Sequence, residues 1–253
     1  MQGKIIGNIS NIYKIKTEKN IYEAFARGKF KNEKIKPLVG DNVEIKLEEN
    51  GTAIIEKIMQ RTNEIKRPKM ANIDQIIFII STKNPKPDLL MLDKQLAYVE
   101  KLGIQPIIII NKIDLQEKSK EYLEIKKIYE NIGYSVIIIS AKQNIGIEEL
   151  KEKLKNKISV FSGNSGVGKS SIINSLFGTD KTQEGEISYK NKKGKNTTTD
   201  TKLYELEENI YIADTPGFSS FEINEIESTE LDKYFCEFKR ELQKCEFVRM
   251  YAY

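Results

Sequence analysis

Residues 76–81 (IIFIIS) and 107–110 (IIII) are unbroken aliphatic runs, too short for helices and too apolar for one-sided strands. They predict strands covered on both faces. Between and beyond them the spacing turns helical. Leu89, Leu92, Leu96 and Val99 predict a helix over 89–102, and Tyr122, Ile125, Ile128 and Tyr129 form one stripe of a helix over 119–132. Two more helices are predicted over 147–154 and 169–177. Further strands are expected at 136–139, 158–162, 203–206 and 210–213. Strand alternating with helix predicts an α/β domain, a parallel sheet covered by helices.

The first 68 residues have a different rhythm. Residues 5–15, 21–26, 41–47 and 52–58 are short strand candidates with polar punctuation, and Val43, Ile45 and Leu47 fall on one face. Glu49-Asn50-Gly51 predicts a hairpin, because Asn-Gly tolerates the positive φ such turns need. Short strands packed this densely predict a small antiparallel barrel of the OB type. At the other end, Leu231, Tyr234, Phe238 and Leu242 predict a helix within 228–247. The expected domains are therefore 1–68, 69–222 and 223–253.

Composition narrows the chemistry. There is no histidine among 253 residues, which excludes imidazole bases, Ser-His-Asp and Cys-His nucleophilic pairs and His-based metal sites. The longest aliphatic runs fall far short of the ~20 residues of a membrane helix. Two cysteines make no disulfide framework, so a reducing cytoplasm is expected, with no membrane partner. Residues 1–70 hold 15 Lys+Arg against 9 Asp+Glu, although the whole chain is only +4. A basic first block suggests nucleic-acid binding there; a lysine-rich surface throughout is the plainer reading.

One string carries sharp chemistry. Gly163-Asn164-Ser165-Gly166-Val167-Gly168-Lys169-Ser170 fits G-x-x-x-x-G-K-S, after a predicted strand and opening a predicted helix. Glycines let backbone N–H groups curl around phosphates. Lys169 adds a point charge, and Ser170 brings a hydroxyl to Mg²⁺, with Ser171 following in the first helical turn. Three weaker motifs also follow strands. In Asn111-Lys112-Ile113-Asp114 a carboxylate can accept from guanine N1–H and its 2-amino group, which adenine cannot match. In Ser140-Ala141-Lys142 a backbone N–H can meet guanine O6. In Asp214-Thr215-Pro216-Gly217, Asp214 can hold Mg²⁺ through water and the Gly217 N–H can sense a γ-phosphate. Thr197-Thr198-Thr199 lies between, and one of its oxygens can complete the metal shell. Together the motifs predict a site for GTP or GDP with Mg²⁺.

The order of these motifs is rotated. The base motifs precede the phosphate loop, which precedes Thr197-Thr198-Thr199 and Asp214. That is a circular permutation, tolerable where former termini lie close together. In this order, and with Gln60-Arg61-Thr62-Asn63, Arg67-Pro68, residues 71–75 (ANIDQ), Leu92-Asp93 and Phe218, the sequence resembles the circularly permuted ribosome small-subunit-dependent GTPase A family along essentially its whole length. The resemblance implies an OB domain binding ribosomal RNA, a permuted P-loop GTPase domain and a C-terminal zinc domain. It implies GTP hydrolysis stimulated by the small ribosomal subunit, late in that subunit's maturation, by a protein expected to be monomeric. Lys169 and Thr198 would then be catalytic, with Ser170, Thr198 and Asp214 on the metal.

Two departures stand out. Where the family usually has the histidine of His-Thr-Thr-Thr, implicated in hydrolysis, this chain has Asn196. Asn196 can orient water but cannot act as an imidazole. Intrinsic turnover is expected to be slow, and the alternative reading is a nucleotide-gated RNA-binding switch with negligible turnover. The family's zinc site uses three cysteines and a histidine, whereas this chain has Cys236 and Cys245 before it stops at Tyr253. Two cysteines cannot fill a tetrahedral site, so zinc is not expected and Cys245 would be a leftover ligand beside a helical remnant.

Overall fold

The computed structural model describes residues 1–28, 30, 35–49, 51–66, 68–116, 119–178, 201–214 and 226–242. The chain forms two compact units. One comprises residues 1–74, 156–160 and 192–217, the other residues 75–155, 161–191 and 218–253.

In the first unit, β1 (Gln2–Ile9), β2 (Ile12–Lys16), β3 (Ile21–Ala26), β4 (Asn42–Leu47) and β5 (Ala53–Ile58) form a barrel. β1 pairs with both β2 and β4, β2 with β3, and β4 with β5, all antiparallel. The ring closes through β3 and β5, and that pair is parallel. The expected barrel of the OB type is present, with one parallel pair among its antiparallel ones for a topological reason. A closed ring of five strands cannot alternate direction at every step, so one pair must run the same way. Ile5, Tyr13, Ile15, Ala24, Val43, Ile45, Ala53 and Ile55 fill the interior. Leu47 does not join Val43 and Ile45. It ends its strand 39% exposed, although still paired with Ala53 of β5.

β6 (Glu64–Lys66) and β7 (Lys69–Ala71) make a small hairpin fastened to the barrel. Asn63 and Ile73 exchange two hydrogen bonds through the Asn63 carboxamide, and Asn72 donates to the Gly40 carbonyl at 3.0 Å. Arg61 sends Nε and one terminal nitrogen to the two oxygens of Asp41 at 2.7 and 2.8 Å, and Asp41 is fully buried. The antiparallel hairpin of β12 (Lys202–Glu207) and β13 (Ile210–Asp214) completes this unit, with Lys202 opposite Gly7 of β1.

In the second unit, β8 (Gln75–Ser81), β9 (Gln105–Asn111) and β10 (Ser135–Ile138) form a parallel sheet, with β9 in the middle. All seven residues of β8 are buried, as its unbroken aliphatic run predicts. α1 (Leu89–Leu102) starts where Asp88 accepts the Met91 N–H and stops at Gly103, and it buries Leu92, Leu96 and Val99. α2 (Tyr122–Ile132) begins three residues later than expected. Its expected apolar stripe is also corrected: only Tyr129 is buried, and Ile128 is 53% exposed. Tyr122 and Ile125 are half-buried beside Tyr129, whose hydroxyl ties the helix to α1 by donating to Asp93 at 2.7 Å. Burial, and then that carboxylate, push the Tyr129 hydroxyl well above the usual tyrosine range.

α3 (Ile147–Leu154), β11 (Ile158–Ser162) and α4 (Lys169–Phe177) follow. The tail differs from the single predicted helix. A 3-10 turn over Ser228–Tyr234 breaks at Phe235, and α5 (Cys236–Leu242) begins after it. The tail is held to the sheet domain by Tyr134, whose hydroxyl donates to Cys236 Sγ at 3.4 Å, and by Lys101 over the Tyr234 ring. Cys245 lies outside the described residues. Among the described residues, no helix is long and apolar enough to cross a membrane.

Candidate functional site

β11 ends in the glycine-rich loop, and the loop is wedged in place by its missing side chains. Gly163 sits at φ +149° and Gly168 at φ +100°. A Cβ on Gly163 would lie 2.4 Å from the Ile79 carbonyl oxygen, and one on Gly168 2.3 Å from Asn111 Nδ2. Val167 is the loop's buried anchor, while Asn164, Ser165 and Gly166 face solvent. Gly168 precedes α4 with no side-chain cap, so the first turn presents backbone N–H groups and the positive end of the helix dipole. Lys169 Nζ donates to the carbonyls of Gly163 and Asn164. Ser170 and Ser171 are exposed in the first turn beside it.

Asn111, the last residue of β9, reaches two other motifs at once. Its Nδ2 donates to the Val167 carbonyl at 2.9 Å, and its Oδ1 accepts the Ala141 N–H at 3.3 Å. Lys112 follows in the left-handed region (φ 65°, ψ 36°), and its Nζ donates to the carbonyls of Asn84 and Gly166, both at 2.6 Å. The chain then turns through a single 3-10 turn, Ile113–Leu115, which carries half-buried Asp114. Ser140, fully buried, donates its hydroxyl to Asp114 Oδ1 at 2.7 Å, and Ser175 of α4 donates to the Ala141 carbonyl at 3.3 Å. Lys142 is exposed in the turn that Ser140 and Ile145 close. A cleft of about 700 Å³ opens beside Asp114, lined also by Thr82, Lys86 and Gln116.

Asn111, Lys112, Asp114, Ser140, Ala141 and residues 163–170, far apart in sequence, are thus gathered into one bonded cluster. Asn196, Thr198 and Gly217 lie outside the described residues. Asp214 ends β13 in the first unit, and only its backbone is described. Thr82 and Asn84, at the end of β8, also belong to the cluster and carry no recognisable motif. Their one signal is position, immediately after a buried parallel strand, where ligand-binding loops gather in α/β sheets. The donors beside the glycine cradle that suit a metal are oxygens, beginning with the exposed Ser170 hydroxyl, and these fit a hard cation such as Mg²⁺.

The RsgA GTPase family profile matches residues 58–224, and the RsgA N-terminal domain profile matches residues 2–55. The chain belongs to the RsgA GTPase family. It is 43% identical over 249 residues to the small ribosomal subunit biogenesis GTPase RsgA of Clostridium beijerinckii, covering 98% of this chain and 84% of that protein. The namesake from Clostridium acetobutylicum is 44% identical over 248 residues, covering 98% and 85%. The crystal structure of YjeQ from Thermotoga maritima superposes with a TM-score of 0.82 at 34% identity, covering 99% of this chain and 85% of that one. YloQ, described as a circularly permuted GTPase, gives 0.79 at 32% identity, covering 98% and 82%. This chain is therefore an RsgA-family GTPase with the permuted fold and an OB-like barrel before it.

Proposed function

We propose that this GTPase acts in biogenesis of the small ribosomal subunit, binding guanine nucleotide in the cluster around Asn111 and ribosomal RNA through its basic barrel. The observation that carries the nucleotide site is the double engagement of the Asn111 carboxamide. One side chain ties the phosphate loop at Val167 to the base-reading turn at Ala141. Asp114, aimed by Ser140, accepts from guanine N1–H and the 2-amino group, and the Lys142 N–H, next to the Ala141 N–H that Asn111 holds, meets O6. Lys112 covers the base. Backbone N–H groups of residues 163–168 and the start of α4 cradle the phosphates, and Lys169 stabilises charge that develops during transfer.

Mg²⁺, when bound, supplies charge neutralisation across the β- and γ-phosphates. Ser170 would hold it, and the same reading assigns Thr198 to the metal and Asp214 to its bound water. Asn196 would orient the attacking water, and Gly217 would report the γ-phosphate. The domains proposed are 1–68 for RNA, 69–222 for GTP and 223–253 as a helical segment, in a cytoplasmic monomer. The decisive assay is GTP hydrolysis with and without purified small subunits. Slow turnover alone and marked acceleration by the subunit are expected, and an unchanged rate would overturn the proposal.

A further inference from the structure

The loop leaving β8 touches the candidate site but belongs to none of its motifs. Thr82, in that loop, is 4% exposed. Its N–H donates to the Asn111 carbonyl at 3.0 Å, and its Oγ1 donates to the Lys112 carbonyl at 2.8 Å. Its own carbonyl accepts from Gln116 Nε2 at 3.2 Å. One residue thus grips two consecutive carbonyls of the base motif. Lys112, between them and the 3-10 turn, is left-handed, a conformation that an L-residue keeps only where its surroundings hold it. From that backbone its ammonium reaches the carbonyls of Asn84 and Gly166, and so joins the loop after β8 to the phosphate loop. Lys112 is also the residue from which the turn bearing Asp114 starts.

We infer that Thr82 is a positioning residue for the guanine nucleotide: its hydroxyl fixes the Lys112 peptide, and through it both the Lys112 ammonium and the aim of Asp114. The inference rests on the cluster around Asn111 being the guanine-nucleotide site. Nothing about Thr82 requires contact with the nucleotide. Its effect passes through Lys112, and that is what separates it from a residue that merely packs.

The test is a double-mutant cycle on the full chain, read as the affinity and dissociation rate of a fluorescent GDP. Thr82→Val keeps the shape and the N–H but deletes the hydroxyl, so that the Lys112 carbonyl keeps only the Leu115 N–H at 3.0 Å. It is expected to weaken GDP binding about tenfold, the effect of one lost buried hydrogen bond. Thr82→Ser, which keeps the hydroxyl, is expected to stay close to the parent. In a Lys112→Ala background, Thr82→Val is expected to cost clearly less than in the parent, because the ammonium that it places is gone while the carbonyl leading to Asp114 remains. Thr82→Cys, similar in volume and a weak donor, runs in the same cycle in case the valine variant does not fold. A parent chain that fails to bind GDP overturns the site reading itself. A parent that binds, with valine and cysteine variants that bind equally well, overturns the role of Thr82. Losses that simply add to that of Lys112→Ala overturn it too, since they mark a residue that only supports the fold.

Discussion

Gly168→Ala is expected to weaken GDP binding by about two to three orders of magnitude, while the rest of the chain keeps its fold. The new Cβ would lie 2.3 Å from Asn111 Nδ2, at a backbone φ of +100°. The left-handed backbone costs an L-residue about 1–2 kcal/mol, an effect confined to the loop. The larger effect is on Asn111, whose carboxamide must leave. It then releases both the Val167 carbonyl and the Ala141 N–H, and with them the link between phosphate loop and base turn. Each buried group left unpaired costs about 1–3 kcal/mol, and 1.4 kcal/mol is tenfold in affinity. Asn111→Ala makes the same cut without the clash and is expected to fall in the same range. Titration with a fluorescent GDP measures both. Binding by Gly168→Ala within threefold of the parent would mean that the loop does not depend on Asn111.

Arg61→Ala is expected to lower the stability of the barrel unit by about 3–5 kcal/mol. Asp41 is fully buried, and the guanidinium meets both of its oxygens while also donating to the Lys36 carbonyl at 2.7 Å. Removing the arginine leaves a buried carboxylate whose remaining described donor is the Leu38 N–H at 2.7 Å. The pair raises the Arg61 pKa above its ordinary value, chiefly through the Asp41 hydrogen bonds. Arg61→Lys keeps a charge but not the two-pronged fork and is expected to fall between parent and alanine. Urea unfolding of the full chain reads both variants. An alanine variant with an unchanged midpoint would contradict the account of this pair as the barrel's fastening.

These two variants also show what could be read before the structure. The candidate phosphate loop was legible because its chemistry is backbone chemistry, and glycine at two fixed positions before Lys-Ser, between a strand and a helix, has few other uses. Asp114 was legible as a candidate because it follows Asn111-Lys112 at the end of a buried strand, the place from which a carboxylate can reach a bound base. The work done by Asn111 was legible only as a residue type; its two partners are 30 and 56 residues away. Arg61 and Asp41 are 20 residues apart in stretches with no shared period, so only folding pairs them. Thr82 looked like any threonine after a strand. The failures of pattern have the same origin. Ile128 keeps helical spacing on an outer helix that the domain leaves half in water, and Leu47 keeps the alternation and pairing of β4 at a strand end left 39% exposed. The parallel closure of β3 on β5 follows from counting strands in a ring, which no single strand records.

The central claim is that Asp114, held by Ser140, reads the guanine edge in a site whose base motif comes first in the chain. Calorimetric titration of the parent and Asp114→Asn with GDP and with XDP tests it most directly. Xanthine replaces the 2-amino donor of guanine with an acceptor, so an amide should suit it where a carboxylate does not. The account predicts strong preference for GDP in the parent and a reversed preference in Asp114→Asn. An Asp114→Asn variant that binds GDP as the parent does, and still rejects XDP, would contradict it.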